Sequence, residues 1–382
     1  LMAKRDKHYD VLIIGAGPAG STCATMLAQQ GFSVGLVDKS GFPRDKVCGD
    51  ALSLDVVNQP PKVSPDLAAE FHQLSTKMPS YGVTIGAPNE KTVQVPFYYQ
   101  GEPDCGYLLP RYDFDNLLYQ HAARYDAVDS FLESPVTHIA QSADGVQVST
   151  RHEELRGTAI VGADGANSVV NRYVGINTME RSAHSAGLRV YYEGVQHFSE
   201  GQYIELYFFK DILPGYLWVF PLTNNRANVG IGVLSSAINR HKLNLKAKIH
   251  ELLTEHPSLK DRFANARALE KPKGMGLQLG SKERQLSGAH FLLTGDAAGL
   301  IDPFSGEGIG NAIRSGRTAA NRLAEAFREQ DFSAAFLRQY DQRIYGQMKK
   351  EFKVSHTIQR LSAYPWIFNF VTNKARQSQS LR

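Results

Sequence analysis

Tyr9-Asp10-Val11-Leu12-Ile13-Ile14-Gly15-Ala16-Gly17-Pro18-Ala19-Gly20 joins an apolar, β-branched run directly to a glycine-rich turn. That order predicts a buried strand ending in a turn. Gly15 permits the turn to be tight, Gly17 lets the backbone approach a pyrophosphate with no Cβ in the way, and Gly20 lets the next helix pack close to the strand. The helix expected over 18–30 directs its free N–H groups and positive dipole end at the phosphates. A helix dipole is worth roughly 0.3–1 kcal/mol, so it orients a ligand more than it holds one. A second strand is expected over 33–38, and Asp38 at its end is placed to accept hydrogen bonds from an adenosine ribose. The acid argues against a bound 2′-phosphate and leaves FAD or NAD.

At 382 residues the chain exceeds what one hydrophobic core serves, which predicts two intertwined domains. Hydrophobic content of 42%, charged content of 21% and a net charge of +4 belong to a soluble globular protein. The basic residues are scattered until the last helix, which argues against nucleic-acid binding. Cys23, Cys48 and Cys105 lack C-x-x-C spacing, so a reducing, cytoplasmic setting is expected, with neither a disulfide framework nor a metal site. Neither a signal segment ahead of Val11 nor an apolar run long enough to cross a membrane is expected.

Beyond Asp38 comes Lys39-Ser40-Gly41-Phe42-Pro43-Arg44-Asp45-Lys46-Val47-Cys48-Gly49-Asp50-Ala51-Leu52, a loop of turn formers and positive charge. Arg44 and Lys46 are placed to reach phosphates; the alternative is a solvated charged loop. Two short strands near 81–85 and 92–99 read as an excursion into a second domain. Tyr107 to Arg111 then leads to Asp113, taken as the N-cap of a helix over 114–125. Strands near 134–140, 145–150 and 158–161 follow, the last feeding Gly162-Ala163-Asp164-Gly165 and a helix from Val169. Four strands over 187–233 with short turns predict an antiparallel sheet, closed by a helix over 245–256. A third buried strand near 289–294 ends in Gly295-Asp296, a helix is expected from about Gly306 to Arg328, and the remainder reads as helical.

Three strand ends carrying glycine plus acid suit a large, extended cofactor, because ligands gather beyond the carboxyl ends of such strands. With these in place the sequence resembles FAD-dependent oxidoreductases of the p-hydroxybenzoate hydroxylase type. The resemblance implies an α/β fold: a Rossmann-type FAD-binding domain (1–75, 106–180 and 275–330) with an inserted antiparallel β-sheet substrate domain (76–105 and 181–274) and C-terminal helices (331–382). It assigns Gly15, Gly17, Gly20 and Asp38 to the ADP half of FAD, with Ala19, Lys39, Arg44, Cys48, Gly49, Arg111 and Gly165 also at the cofactor. By the same resemblance Asp164 lies near the pyrophosphate, Gly295 and Asp296 at the ribityl chain, and Gly306, Gly308 and Ile309 at a helix start aimed at the flavin pyrimidine ring. A positive helix end there stabilises the negative charge of a reduced flavin.

Two stretches are similar to the geranylgeranyl reductase family. Pro43 to Gly49 matches its P-R-x-K-x-C-G loop, and Tyr216-Leu217-Trp218-Val219-Phe220-Pro221, followed after eight residues by Gly230-Ile231-Gly232, fits Y-x-W-x-F-P-x(7,8)-G-x-G. Tyr216, Trp218 and Phe220 alternate, so they project from one strand face as an apolar wall suited to an isoprenoid chain. Pro221 completes that expected substrate set. Related halogenases carry G-E-S in place of Cys48-Gly49-Asp50 and W-x-W-x-I-P in place of Tyr216 to Pro221, which weighs against halogenation. Aromatic hydroxylation shares the fold and stays open as the alternative. The reaction expected is saturation of carbon–carbon double bonds in a prenyl substrate, with Cys48 as the catalytic candidate and NAD(P)H or a reduced protein partner as electron donor. Tyr364-Pro365-Trp366-Ile367-Phe368-Asn369-Phe370-Val371, with Lys374 and Arg376, is expected either to touch a membrane surface or to pack on the body.

Overall fold

The computed structural model describes residues 6–142, 144–176 and 181–377. The domain boundary expected at 180 falls outside them. The strand Asp6–Ile14 lies at the middle of the first sheet, between Val34–Val37 and Glu154–Gly162, both parallel to it. Val128–Phe131 extends the sheet beyond Val34–Val37, again in parallel. The far edge of Glu154–Gly162 is shared. Its first half pairs antiparallel with Gly145–Ser149, and its last three residues pair parallel with Phe291–Leu293. Register then does the positioning. Ile14 stands opposite both Val37 and Gly162, and Gly162 opposite Leu293, so the four strands end level with one another.

The helix Pro18–Ala28 is buried between this sheet and the long helix Ile309–Glu329. Two glycines make that approach achievable. Gly15 has φ +101°, and a Cβ on it would stand 2.4 Å from the Ala163 carbonyl oxygen; a Cβ on Gly20 would stand 1.8 Å from the Gly15 oxygen. Neither position accepts a side chain without moving the strand–turn–helix unit.

The second sheet runs in the order Arg267–Ala268, His184–Glu193, Arg226–Leu234, Gly215–Leu222, Ile204–Tyr207, Gly82–Gly86, Thr92–Pro96, with Lys273–Gln278 also on His184–Glu193. The early excursion thus joins the later strands. Its junction, Ile204–Tyr207 against Gly82–Gly86, is parallel, whereas the sequence predicts antiparallel pairing throughout. The two strands come from distant parts of the chain, so no hairpin dictates their direction.

Three further expectations are corrected. Asp113 is not an N-cap: the helix is Arg111–Ala123, and the Asp50 carboxylate, from a distant loop, accepts from the Arg111 N–H at 3.2 Å. The strand expected over 134–140 starts only at His138, and Val128–Phe131 forms the edge strand that alternation does not reveal. The helix expected from Gly306 begins at Ile309, because Gly306 has φ +71°.

Candidate active site

The level strand ends border a cleft of about 370 Å³. Gly15, Gly17, Ala19, Asp38, Lys39, Arg44, Cys48, Arg111, Asp164, Gly165, Gly295, Asp296, Gly306, Gly308 and Ile309 all line it. Gly20 does not; it serves the close helix packing. Gly49 faces the neighbouring cavity instead.

Asp38 is buried, and its two oxygens accept from the Ala16 N–H at 2.8 Å and the Ser40 N–H at 2.9 Å, which fixes it at the turn. Asp164 caps the short helix Val169–Val174 through the Val169 N–H at 2.6 Å. Its other oxygen is buried with no hydrogen-bond partner among the described residues. Burial raises the Asp164 pKa. Lys46 reaches Asp296 at 3.1 Å. Arg44 and Arg111 both bind the fully buried Asp115, at 3.1 Å and at 2.6 and 2.9 Å. Burial pulls the Arg111 pKa down, but Asp115 and the neighbouring Cys48 more than reverse it.

This cleft fits an FAD. The Gly17 position meets nothing closer than an Arg44 nitrogen at 3.6 Å, so the fold itself does not demand a glycine there; an approaching pyrophosphate does. The orphaned Asp164 oxygen needs a donor such as a sugar hydroxyl.

A second cavity, of about 240 Å³, adjoins the cleft. Both are lined by Cys48, Met275, Leu277, Gly306, Gly308 and Ile309, so the two spaces meet where the helix Ile309–Glu329 begins. Tyr216, Trp218 and Phe220 form one wall, with ring centroids 6.2 and 6.3 Å apart along the strand. Pro221 is corrected: it does not line the cavity, because alternation turns it to the opposite face with Leu217 and Val219. Phe208 lines the other end and stacks on Phe304 at 6.0 Å and Phe368 at 4.2 Å.

The loop carrying Cys48 is clamped to that wall. A Cβ on Gly49 would stand 2.7 Å from Phe220. Asn228 receives the Trp218 indole N–H at 2.9 Å and donates to the Cys48 carbonyl at 2.7 Å and to Asp50 at 2.8 Å. Asp50 also accepts from the Tyr191 hydroxyl. Burial pushes its pKa up to about 6, against the donors Tyr191 and Asn228 and the charge of Arg189. Arg189 is itself buried, over the Tyr191 ring at 4.0 Å, and binds Asp45 at 2.7 Å and Glu270.

Sequence reasoning missed Asp50, Asn228 and Arg189, and also Glu307. Asn228 lies within the eight-residue spacer of the aromatic motif, where only the strand pairing Phe220–Asn228 reveals it. Glu307 sits between Gly306 and Gly308, with no motif spacing of its own to mark it. Burial, then the carboxylates Asp55, Asp302 and Glu351, push its pKa up to about 7 despite the Ser53 hydrogen bond.

The FAD binding domain family's profile matches residues 8–345. A digeranylgeranylglycerophospholipid reductase of Thermoplasma volcanium is 30% identical over 354 residues, which cover 90% of this chain and 85% of the relative. A geranylgeranyl bacteriochlorophyll reductase-like structure from Thermoplasma acidophilum aligns with a TM-score of 0.85 and 25% identity, over 97% of this chain and 91% of that one. A point mutant of the halogenase PltM, solved with FAD, aligns with a TM-score of 0.77 and 18% identity over 96% of this chain and 79% of that one, a likeness of fold alone.

Proposed function

The chain belongs to the geranylgeranyl reductase family of FAD-dependent oxidoreductases, and from that premise we propose that it saturates carbon–carbon double bonds in the prenyl chains of an isoprenoid lipid. The observation that carries this reading is the aromatic-walled cavity opening onto the cofactor cleft at Cys48 and Gly306–Ile309. A slot bordered by Tyr216, Trp218, Phe220, Leu206 and Phe208 accepts a hydrocarbon chain by burying apolar surface, at roughly 25 cal/mol per Å². The halogenase signature is absent at both diagnostic stretches.

Bound FAD supplies the hydride once reduced. The protein's share is positional. Gly15, Gly17 and Asp38 receive the ADP half, Asp164 and Asp296 the polar linker, and the positive end of the Ile309–Glu329 helix favours the anionic reduced state. The aromatic wall aligns an alkene, which is a poor hydride acceptor, and excludes water from it. Cys48, shared by both spaces, is the side chain placed between them and is assigned a catalytic or gating role. The electrons come from NAD(P)H or from a reduced protein partner.

The C-terminal helices supply a route for lipid. Val354, Ile358, Leu361, Trp366, Phe370 and Val371 are exposed, with Lys350, Lys353 and Lys374 also exposed on the same two helices. On their inner side Gln359 and Ser362 line the apolar cavity and Phe368 stacks on Phe208. Peripheral contact with an anionic membrane would present prenyl chains beside the cavity. Among the described residues no helix is long and apolar enough to cross a membrane.

The test is anaerobic reduction of the FAD-loaded enzyme, followed by addition of digeranylgeranylglyceryl phospholipid. Reoxidation with a gain of two hydrogens per double bond supports the reading. Reoxidation by oxygen alone, with hydroxylation of an added phenol, replaces it with the hydroxylase.

A further inference from the structure

Saturating an alkene takes a hydride and a proton, and the proton has to come from within reach of the cavity. Among the described residues, five with acidic side chains line that cavity: Cys48, Asp50, Tyr107, Tyr216 and Glu307. Asp50 is committed to Tyr191, Asn228 and the Arg111 N–H. Tyr216 donates to the Ser305 carbonyl, and burial together with Asp302 and Glu307 raises its pKa well out of the working range. Burial, then Cys105, pushes the pKa of Tyr107 up to about 12. Cys48 stands beside the Arg111 guanidinium, and its backbone carbonyl is held by Asn228.

Glu307 differs from all four. It lies between Gly306 and Gly308, the two glycines common to cleft and cavity, and its backbone is fixed by the Asp302 N–H donating to its carbonyl at 2.8 Å. Ser53 donates to Oε1, and among the described residues no hydrogen bond is made by Oε2. Resting on the reductase reading above, we propose that Glu307 is the proton donor of the saturation, carrying its proton on the carboxyl that borders the apolar cavity.

The step balances. Hydride from the reduced flavin forms one C–H bond, the Glu307 carboxyl proton forms the other, the alkene π bond is lost and the flavin leaves oxidised. The Glu307 carboxylate then regains a proton from water, to which it keeps partial access. Its surroundings hold the proton near neutrality. Asp55 on the helix Leu54–Val57, Asp302 on its own loop and Glu351 on the helix Gln339–Leu361 all oppose ionisation. Arg314, on the helix that follows Glu307, is bound to Asp55 and Glu351. The pKa of about 7 follows from burial and these three carboxylates.

The proposal is tested with FAD-loaded protein. In protein labelled with carboxyl-¹³C glutamate and without any substrate, one resonance should titrate with a midpoint near 7 and be missing from Glu307→Gln. A Glu307 midpoint near the ordinary 4.5 overturns the proposal. After dithionite reduction, Glu307→Gln should keep wild-type FAD affinity but be reoxidised by digeranylgeranylglyceryl phospholipid about 10²–10⁴-fold more slowly, with Glu307→Asp partly restoring the rate. Prompt reoxidation of both wild type and Glu307→Gln removes Glu307 alone. Failure of wild type itself to be reoxidised brings down the reductase reading and the proposal with it. If Glu307→Gln does not hold FAD, Ser53→Ala gives the answer: loss of that hydrogen bond should move the alkaline limb of the rate profile upward, and an unmoved limb refutes the proposal.

Discussion

The Asn228 side-chain amide donates to the Cys48 backbone carbonyl at 2.7 Å, while the same side chain accepts the Trp218 indole N–H. One buried residue thereby joins the loop at the cofactor to the wall of the apolar cavity. Asn228→Ala strands the Trp218 donor and takes a donor away from Asp50. Each unsatisfied buried group costs about 1–3 kcal/mol, so the variant should lose several degrees in Tm and bind prenyl lipid more weakly, measured by thermal denaturation and by lipid titration. Unchanged values for both would show that the clamp carries no energy.

Gly49 and Phe220 make the same connection by shape. The Cβ of Gly49→Ala would lie 2.7 Å from the Phe220 ring, a contact that forces one of them to move. Overpacking of this kind costs about 1–3 kcal/mol. Adding Phe220→Leu to Gly49→Ala should recover much of the loss, and the coupling is read from a double-mutant cycle of unfolding free energies.

Asp50 makes stability depend on pH. Its carboxyl holds a proton up to about 6 in the folded protein, against 3.8 ordinarily. Between those values the native state binds more protons than the unfolded chain, so stability falls as pH rises through that window. At about 1.4 kcal/mol per unit the loss reaches about 3 kcal/mol. Asp50→Asn keeps the shape, tolerates the φ of +65° and cannot ionise, so its unfolding free energy should vary less between pH 4 and 6 than that of wild type. Glu307 acts in the same direction between 4.5 and about 7, and its slope should remain in the variant.

The cofactor cleft is legible in the sequence because it is built from local signals: a strand, a glycine turn and an acid within thirty residues, twice more echoed at Gly162–Gly165 and Gly295–Asp296. The face shared by Tyr216, Trp218 and Phe220 follows from alternation alone, and alternation also removes Pro221 from that face. What stays hidden is whatever depends on pairing between distant segments. The Asp50 cap on Arg111, the parallel junction of Ile204–Tyr207 with Gly82–Gly86, and the approach of Ser53 to Glu307 join residues 61, 121 and 254 positions apart. No local pattern encodes them.

Cys48 should affect chemistry and leave cofactor binding alone. Its side chain borders both spaces, whereas its carbonyl, the part held by Asn228, survives substitution. Cys48→Ala and Cys48→Ser should therefore retain FAD, with an unshifted flavin spectrum, while the rate of reoxidation by prenyl lipid falls. A rate equal to wild type would take Cys48 out of the mechanism.

Membrane contact should depend on the outward side of the last helix and not on its inward side. Trp366 and Phe370 are four residues apart on Pro365–Gln377 and are 66% and 57% exposed, whereas Phe368 is stacked on Phe208. Replacing Trp366 and Phe370 with Ser leaves that stacking in place. The pair gives up about 3 kcal/mol or more of apolar burial in a bilayer interface, roughly a hundredfold in partitioning. Co-sedimentation with phosphatidylglycerol vesicles should fall accordingly, with FAD content unchanged. The exposed Lys350, Lys353 and Lys374 add attraction to anionic lipid, so wild-type binding should weaken with salt and be poorer on phosphatidylcholine. Equal partitioning of wild type and the double variant would place the apolar surface elsewhere than against a membrane, and lipid would then have to reach the Phe208 end of the cavity from solution.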